Sequence, residues 1–296
     1  MKSGNAWQDK LLILSMDKIN AGELHQFSSI TGSCFINAPY EQLRDGLLEF
    51  FLRYKLQPEI GLEGECLWNI PKKEFQITAD ILKKNSLSCT LHTPFFDLAP
   101  GGIDSKIREV TREKLRRAFE LIPVFQPRSI VCHLGYEENK HSYKMEQWLK
   151  YSIETWLELI EIAARNNTCV MFENTYETTP DIHHRLLTEI NSGSLQFCLD
   201  TGHLMAYAGT DWQLWLDKLL PWLGQLHLHD NKGQRDDHIA VGHGLFNFQE
   251  LFDFLRTTSI RPIITLEPHS KEDLLLSLKN IKSTKLLNGI INQAKS

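Results

Sequence analysis

Residues 195–244, LQFCLDTGHLMAYAGTDWQLWLDKLLPWLGQLHLHDNKGQRDDHIAVGHG, contain two short apolar runs that stop at potential metal ligands. Imidazoles and carboxylates are the groups that Zn²⁺, Mn²⁺ and similar ions take from proteins. Any one of these side chains alone could be a hydrogen-bonded or solvated residue, but the whole set indicates a site. The window holds Asp200, His203, His227, His229, Asp230, Asp236, Asp237, His238 and His243.

The composition predicts a globular protein with a sizeable core. The chain has 296 residues, 42% of them hydrophobic, and a net charge of −5, which argues weakly against a polyanionic partner. The charge balance therefore disfavours nucleic acid as a partner, with a local basic groove as the open alternative. The longest early apolar run, LLIL, is too short for a secretory signal, and no stretch is long enough to span a membrane. The six cysteines form no C-x-x-C pair, which predicts reduced thiols in a cytoplasmic protein.

Strand-like and helix-like segments alternate along the chain in roughly eight units, without a flexible linker. The first strand is expected near residues 27–33, and Asn37 is expected to cap a helix over 37–56. Further helices are expected over 71–85, 104–122, 142–166, 179–191 and 271–292. This alternation predicts an α/β fold, a (β/α)₈ barrel forming a single domain over 27–296. Residues 1–26 would be an N-terminal extension or a short first element. A doubly wound open sheet is the alternative, disfavoured because no G-x-G-x-x-G follows the first strand.

Six predicted strands end in, or just before, a ligand-type side chain. In a (β/α)₈ barrel these ends lie on one face, where such folds carry their active sites. Neighbouring residues of a strand point to opposite faces, so His133 and Asp200 are expected to face the lumen while Cys132 and Leu199 face the helices. The six residues are His92, His133, Glu173, Asp200, His227 and Glu267.

The motifs L-H-T-P-F, C-H-L-G, F-E-N, L-D-T-G-H, H-L-H-D-N, R-D-D-H-I-A-V-G-H-G and L-E-P together resemble the xylose isomerase-like TIM-barrel superfamily. That group includes endonuclease IV and many sugar and sugar-phosphate isomerases and epimerases. The resemblance extends over about residues 27–290. It implies the barrel fold and a site that holds between one and three divalent ions, zinc or manganese.

The resemblance also implies roles for particular residues. Epimerase relatives hold one ion, here through Glu173, Asp200, His227 and Glu267, and the two glutamates move the substrate proton. His203 and Arg235 would contact substrate. Endonuclease IV-like relatives hold three zinc ions, and their pattern corresponds here to His92, His133, Glu173, Asp200, His203, His227, Asp236, His238 and Glu267.

Two departures from the family pattern affect this assignment. The family's G-E-G is Gly242-His243-Gly244 here, so an imidazole replaces a carboxylate. His229 occupies the position of a common asparagine, which leaves the ligand choice between His227 and His229 open; His227 is preferred, with His229 assigned to substrate contact.

Two functions compete at this point. The first is a metal-dependent isomerase or epimerase of a small sugar or sugar phosphate, with Glu173 and Glu267 as base and acid. The alternative is a phosphoester hydrolase with a di- or trinuclear zinc site, and a non-catalytic metal-binding barrel is the third possibility. Lys106 and Arg108 could meet a substrate phosphate, although a solvated helix face is preferred. The first function is favoured, and the oligomeric state is left open.

Overall fold

The computed structural model describes residues 24–291, which form a closed barrel of eight parallel strands, as the sequence predicts. Each strand pairs with the next one in the chain, and β8 pairs with β1 to close the barrel. The strands are β1 (Phe35–Pro39), β2 (Gln57–Gly61), β3 (Thr90–His92), β4 (Ser129–His133), β5 (Cys169–Glu173), β6 (Leu195–Asp200), β7 (Leu223–Leu228) and β8 (Ile263–Leu266).

A main helix follows each strand and returns the chain to the opposite end of the barrel. These helices are α1 (Leu48–Tyr54), α2 (Lys72–Lys84), α3 (Ser105–Phe119), α4 (Met145–Arg165), α5 (Asp181–Ile190), α6 (Trp212–Leu219), α7 (Phe248–Thr257) and α8 (Lys271–Thr284). Short helical segments include Ser28–Thr31, Tyr40–Gln42, Cys66–Asn69, Ile122–Phe125, Glu138–His141 and Thr201–His203. No helix within residues 24–291 combines the length and apolar character needed to cross a membrane.

The first strand lies later in the chain than predicted. Residues 27–33 do not form a strand, because Ser28–Thr31 is a helical turn that buries Ile30 against the core. β1 is the following run, where Ile36 and Ala38 are buried, as expected of a strand between two layers. Asn37 therefore lies inside β1 and caps no helix.

The predicted chain ends are only partly described. Residues 1–23 of the predicted N-terminal extension lie outside the described residues, and the domain boundary at 26–27 stays a prediction. The last helix ends at Thr284 rather than at residue 292, which itself lies outside the described range.

The alternation along the strands agrees with the predicted faces. Cys132 and Leu199 pack in the large apolar layer between the barrel and its helices. A separate small cluster is formed by Val131, Met171 and Cys198. Each lies two positions before His133, Glu173 or Asp200 on the same strand, and therefore on the same inward face. The six cysteines all lie within the described residues and are free thiols.

Candidate metal centre

The six predicted strand-end residues meet at the carboxyl-terminal rim of the barrel. His92, His133, Glu173 and Asp200 are the last residues of β3 to β6, His227 is the penultimate residue of β7, and Glu267 follows β8. All six are largely buried. The structure therefore brings together side chains that are far apart in the chain.

The first cluster joins β3, β4 and β5. The Nε2 atoms of His92 and His133 lie 3.0 and 2.9 Å from Oε2 of Glu173. One ligand atom from each of the three residues lies within reach of a common point, so the cluster could hold a metal ion. Because only three protein ligands converge here, a fourth position would remain open for water or substrate.

The second cluster lies deeper, and the same glutamate contributes its other oxygen. Nδ1 of His227 is 3.0 Å from Oε1 of Glu173, 3.1 Å from Oε1 of Glu267 and 3.8 Å from Oδ2 of Asp200. His229 approaches through Nε2, which is 3.0 Å from Oδ2 of Asp200 but 3.8 Å from Glu267. His229 forms a possible metal group with Asp200 and Glu267, and His227 forms one with Glu59 and Glu267, so the preference for His227 stays a prediction.

The third cluster is formed around Asp236 in the loop between β7 and α7. Oδ2 of Asp236 lies 3.2 Å from Nε2 of His203 and 3.1 Å from Nε2 of His238, while Oδ1 is 3.5 Å from Nδ1 of His229. Asp236 Oδ1 and His229 Nδ1 are buried and make no hydrogen bond among the described residues. Buried ligand atoms left without partners fit a site that a cation completes.

Backbone carbonyls orient three of the imidazoles. His92 donates from Nδ1–H to the carbonyl of Thr93. In the same way His203 donates to the carbonyl of Asn174, and His238 donates to the carbonyl of Glu267. Each bond keeps Nδ1 protonated, so Nε2 is the nitrogen that faces a carboxylate of the clusters and that would lose its proton to bind an ion. Metal-ligating histidines are held by hydrogen bonds of this kind.

Asn174 also links β5 to β6 through its side chain. Its Nδ2 donates to the carbonyl of Asp200, and its Oδ1 accepts from the amide of Asp200. The Asp200 carboxylate then accepts from the amide of His203 at 2.6 Å, which caps the short helix Thr201–His203. This asparagine is part of the F-E-N motif, but its sequence context alone predicted no role for it.

Glu59 is a further carboxylate of the centre, which sequence reasoning missed. It lies on β2, is completely buried, and places Oε1 2.9 Å from Nε2 of His227. Its Oε2 accepts hydrogen bonds from Thr90, Gln225 and Thr265, at 2.7, 2.7 and 3.1 Å. A single carboxylate inside the run PEIG was the available signal, because an unpaired charge is rarely buried.

The loop after β7 is organised by Asp230, which is also buried. Its carboxylate accepts from the amides of Asn231, Gly244 and Phe246. A side chain at Gly244 would collide with this carboxylate, which explains the glycine. His243 is exposed, so the imidazole expected near the site points to solvent instead.

His229 is held between Gly202 and His238. Its ring lies parallel to that of His238, with centroids 3.7 Å apart, and a Cβ at position 202 would overlap the His229 ring. Nitrogen lone pairs lie in the ring plane, so two parallel stacked imidazoles do not point at one common ion. His229 nevertheless belongs to the third cluster through Nδ1, which lies 3.5 Å from Oδ1 of Asp236, and its assignment to substrate contact stays a prediction.

The cationic residues singled out from the sequence do not enter the clusters. Arg235 is exposed on the loop next to Asp236. Lys106 pairs with Glu109 at 2.8 Å on an exposed helix face, and the Arg108 guanidinium lies 3.8 Å from the centre of the Tyr151 ring. Lys106 is exposed, as the preferred interpretation expects, whereas Arg108 is half-buried and donates to the carbonyls of Gly102 and Ile103. The role of Arg235 stays a prediction.

The carboxylates of the centre are stabilised in their ionised form. Burial raises the pKa of Glu173, but the charges and hydrogen bonds of His227 and His133 together hold that pKa well below its usual range. At Asp236 burial has the same effect, and the hydrogen bonds from His203 and His238 again hold the pKa low. Anionic ligands of this kind suit a divalent cation.

The imidazoles divide into two groups. Burial lowers the pKa of His92, yet its hydrogen bond to Glu173 raises that pKa to about 9. At His238 burial likewise lowers the pKa, and the bond to Asp236 raises it to about 9. At His133 burial dominates and lowers the pKa to about 4. In the absence of a bound cation, protonated His92 and His238 therefore neutralise part of the negative charge of the carboxylates.

Metal uptake should consequently release protons. His92 and His238 are protonated below pH 9 in the metal-free protein, because each has a pKa of about 9, and only the unprotonated nitrogen can bind an ion. We expect the apparent affinity for Zn²⁺ to rise from about pH 6 to about pH 9, by up to about tenfold per pH unit for each proton displaced. Competition with a chelator measures the affinity, and calorimetry in two buffers counts the protons. An affinity independent of pH would contradict this linkage.

Comparison with known proteins places the chain in a family. A model described as the xylose isomerase-like TIM barrel matches residues 61–285, so the chain belongs to that family, and the resemblance inferred from sequence is confirmed. The uncharacterized protein MJ1311 of Methanocaldococcus jannaschii is 25% identical over 231 residues, which cover 76% of this chain and 78% of that protein.

Two solved structures show the same fold. A D-tagatose 3-epimerase-like protein superposes with a TM-score of 0.72 at 24% identity, covering 85% of this chain and 96% of the other. The TTHB071 protein from Thermus thermophilus, soaked with ZnCl₂, superposes with a TM-score of 0.70 at 23% identity, covering 85% of this chain and 97% of the other. At these identities the likeness establishes the barrel architecture, on which the ligand clusters described above are arranged.

Proposed function

We propose that the protein is a divalent-metal-dependent isomerase or epimerase of a small sugar or sugar derivative. The observation that carries this proposal is the placement of Glu173 and Glu267. They end β5 and follow β8, three strands apart in a ring of eight, yet each places an oxygen within 3.1 Å of Nδ1 of His227. Two carboxylates thus flank one point from different sides of the barrel.

Glu173, Asp200, His227 and Glu267 would hold the ion, which is zinc or manganese. A bound divalent ion would polarise a carbonyl and the neighbouring hydroxyl of the substrate, which acidifies the C–H bond between them. Glu173 and Glu267 would then act as a general base and acid, one removing the proton from carbon and the other returning one. His203 and Arg235 would hold substrate oxygens. The resemblance to sugar epimerases supports this division of roles.

Proton exchange tests the proposal directly. The metal-loaded protein, incubated in D₂O with D-fructose, D-tagatose, D-psicose and their phosphates, should incorporate deuterium at a carbon next to the carbonyl of at least one compound. Mass spectrometry or proton NMR measures the incorporation, and removal of metal with a chelator should abolish it. Absence of exchange across this panel, with either Zn²⁺ or Mn²⁺ bound, would reject isomerase chemistry on free ketoses and their phosphates.

A phosphoester hydrolase with two or three zinc ions is the second candidate. The first and third clusters favour it, because they supply ligands beyond the four that a single ion needs. Several metals together can stabilise the attacking and leaving oxygens of a displacement at phosphorus. Elemental analysis separates the candidates: one ion per chain supports the epimerase, whereas two or three ions together with nicking of abasic-site DNA support the hydrolase.

A further inference from the structure

A cleft of about 310 Å³ opens beside the first cluster, and His133 forms part of its lining. This side cleft lies between the loops that follow β3, β4 and β5, and it includes Phe95, Phe96, Glu137 and Tyr176. Its volume is at the lower end of the range for ligand sites, so it has room for one ring rather than for an extended chain. His133 connects it to the centre, since its Nε2 lies 2.9 Å from Glu173.

Aromatic rings flank the side cleft. Phe95 stacks on His133 with centroids 4.4 Å apart, and Phe96 packs on Phe95 at 4.5 Å. Phe96 is 65% exposed and Tyr176 is 48% exposed, although both are large and apolar enough to be buried. The loops that carry them follow β3 and β5, on either side of β4 and His133. Such flat faces bind the C–H face of a sugar or the face of an aryl ring.

The two loops that form the cleft are packed tightly together. Gly135 adopts a positive φ of 66°, and a Cβ at this position would lie 2.9 Å from the carbonyl oxygen of Leu98 and 3.2 Å from Pro100. The loop after β4 therefore rests directly on the loop after β3. This close contact fixes the shape of the cleft before a ligand binds, which lowers the entropic cost of binding.

The charges of the side cleft argue against an anionic occupant. Glu137 and Asp97 bring two carboxylates, and Lys140, the single lysine among the described lining residues, forms an ion pair with Glu137 at 2.5 Å. A phosphate or a nucleic-acid backbone would need unpaired cations here. Carboxylates beside aromatic faces instead suit a ring with hydroxyl groups, because carboxylate oxygens accept hydrogen bonds.

We therefore infer that the side cleft binds a second ring of the substrate, a neutral glycosyl or aryl group attached to the sugar that reaches the metal centre. The substrate class would be keto sugars that carry this second ring rather than unsubstituted monosaccharides, because the chemistry proposed at the centre needs a carbonyl beside the exchanging C–H bond. This inference rests on the proposed function for the chemistry at the centre, but the recognition of the second ring is a separate property of the three loops.

Binding measurements test the second ring without requiring turnover. The metal-loaded protein is titrated with p-nitrophenyl and methyl glycosides of glucose, galactose and xylose, and with cellobiose, by calorimetry or ligand-observed NMR. We expect a p-nitrophenyl glycoside or cellobiose to bind about tenfold more tightly than the matching methyl glycoside, as ring stacking predicts. Phe96→Ala and Tyr176→Ala should each remove most of this preference. Both side chains are exposed, so the fold should be retained.

Tyr143→Ala is the matched control, since Tyr143 is 78% exposed and lies outside the cleft. This variant should keep the preference. Equal affinity for one-ring and two-ring compounds in the wild type would overturn the inference, and so would a preference that survives in both cleft variants. Deuterium exchange is measured separately. A preference for two-ring compounds without exchange would support the binding role of the cleft and reject the isomerase. Exchange without the preference would support the isomerase and reject the binding role of the cleft.

Discussion

Glu267→Gln should lower the rate of substrate proton exchange by about 100- to 10,000-fold, the usual contribution of a general acid or base. The amide is close in shape to the carboxylate but cannot take up a proton. The amide of Glu267 donates to the carbonyl of Leu228, and its carbonyl accepts from Nδ1 of His238. Both backbone hydrogen bonds would persist in the variant because they do not involve the side chain. The fold should therefore be retained, and exchange in D₂O measures the loss.

The matched control for this variant is Glu272→Gln, at an exposed position in the first turn of α8. It removes the same charge close by in the chain and should leave the exchange rate unchanged. Metal content is measured in both proteins, because Glu267 is also a proposed ligand. Full activity of Glu267→Gln would reject the assignment of this glutamate.

Glu59→Gln should weaken metal binding at the second cluster by about 10- to 100-fold, the usual effect of losing a carboxylate that orients a ligating histidine. Glu59 accepts three bonds at Oε2 and faces Nε2 of His227 with Oε1. If the glutamine oxygen keeps the three bonds, its NH₂ group meets Nε2–H of His227. His227 would then change tautomer and present a protonated Nδ1 to the other carboxylates.

A purely structural role for Glu59 predicts a different result. Thr90→Val removes one of the hydrogen bonds to Glu59 but leaves the charge and His227 unchanged, so it should have a much smaller effect on metal affinity. Thermal unfolding of the metal-free proteins reports stability separately, and removal of a buried charge need not destabilise the fold. Unchanged zinc affinity in Glu59→Gln would show that the contact with His227 does not position the ligand.

The barrel was predictable because its strands are short apolar runs with clear ends. β3 to β8 end at or next to a polar ligand-type residue, and helices such as α2 and α4 follow the predicted spacing. β1 was misplaced because FSSITGS contains aromatic and β-branched residues, and the end of the more apolar run CFINAP was assigned to the helix expected over 37–56. The run CFINAP is the strand because it lies between the barrel interior and the helices. This position depends on tertiary packing rather than on local sequence.

The candidate site was predictable only where residues end strands. Glu59 lies in the middle of β2, further from the carboxyl-terminal rim than the strand-end residues. Its contact with His227 joins β2 to β7, two strands far apart in the chain. Asn37 was assigned as a helix cap, but its Nδ2 lies 3.4 Å from Oε1 of Glu267. The sequence also could not indicate which histidine nitrogen is free, because backbone carbonyls of other segments determine that.

The sharing of Glu173 between two clusters, one oxygen to each, has a consequence for how the centre fills. A cation at either position would draw the carboxylate into an orientation that suits its neighbour, so occupancy of the two positions would be cooperative. By the same reasoning neither position can be changed through Glu173 without affecting the other. Any replacement of this glutamate alters both.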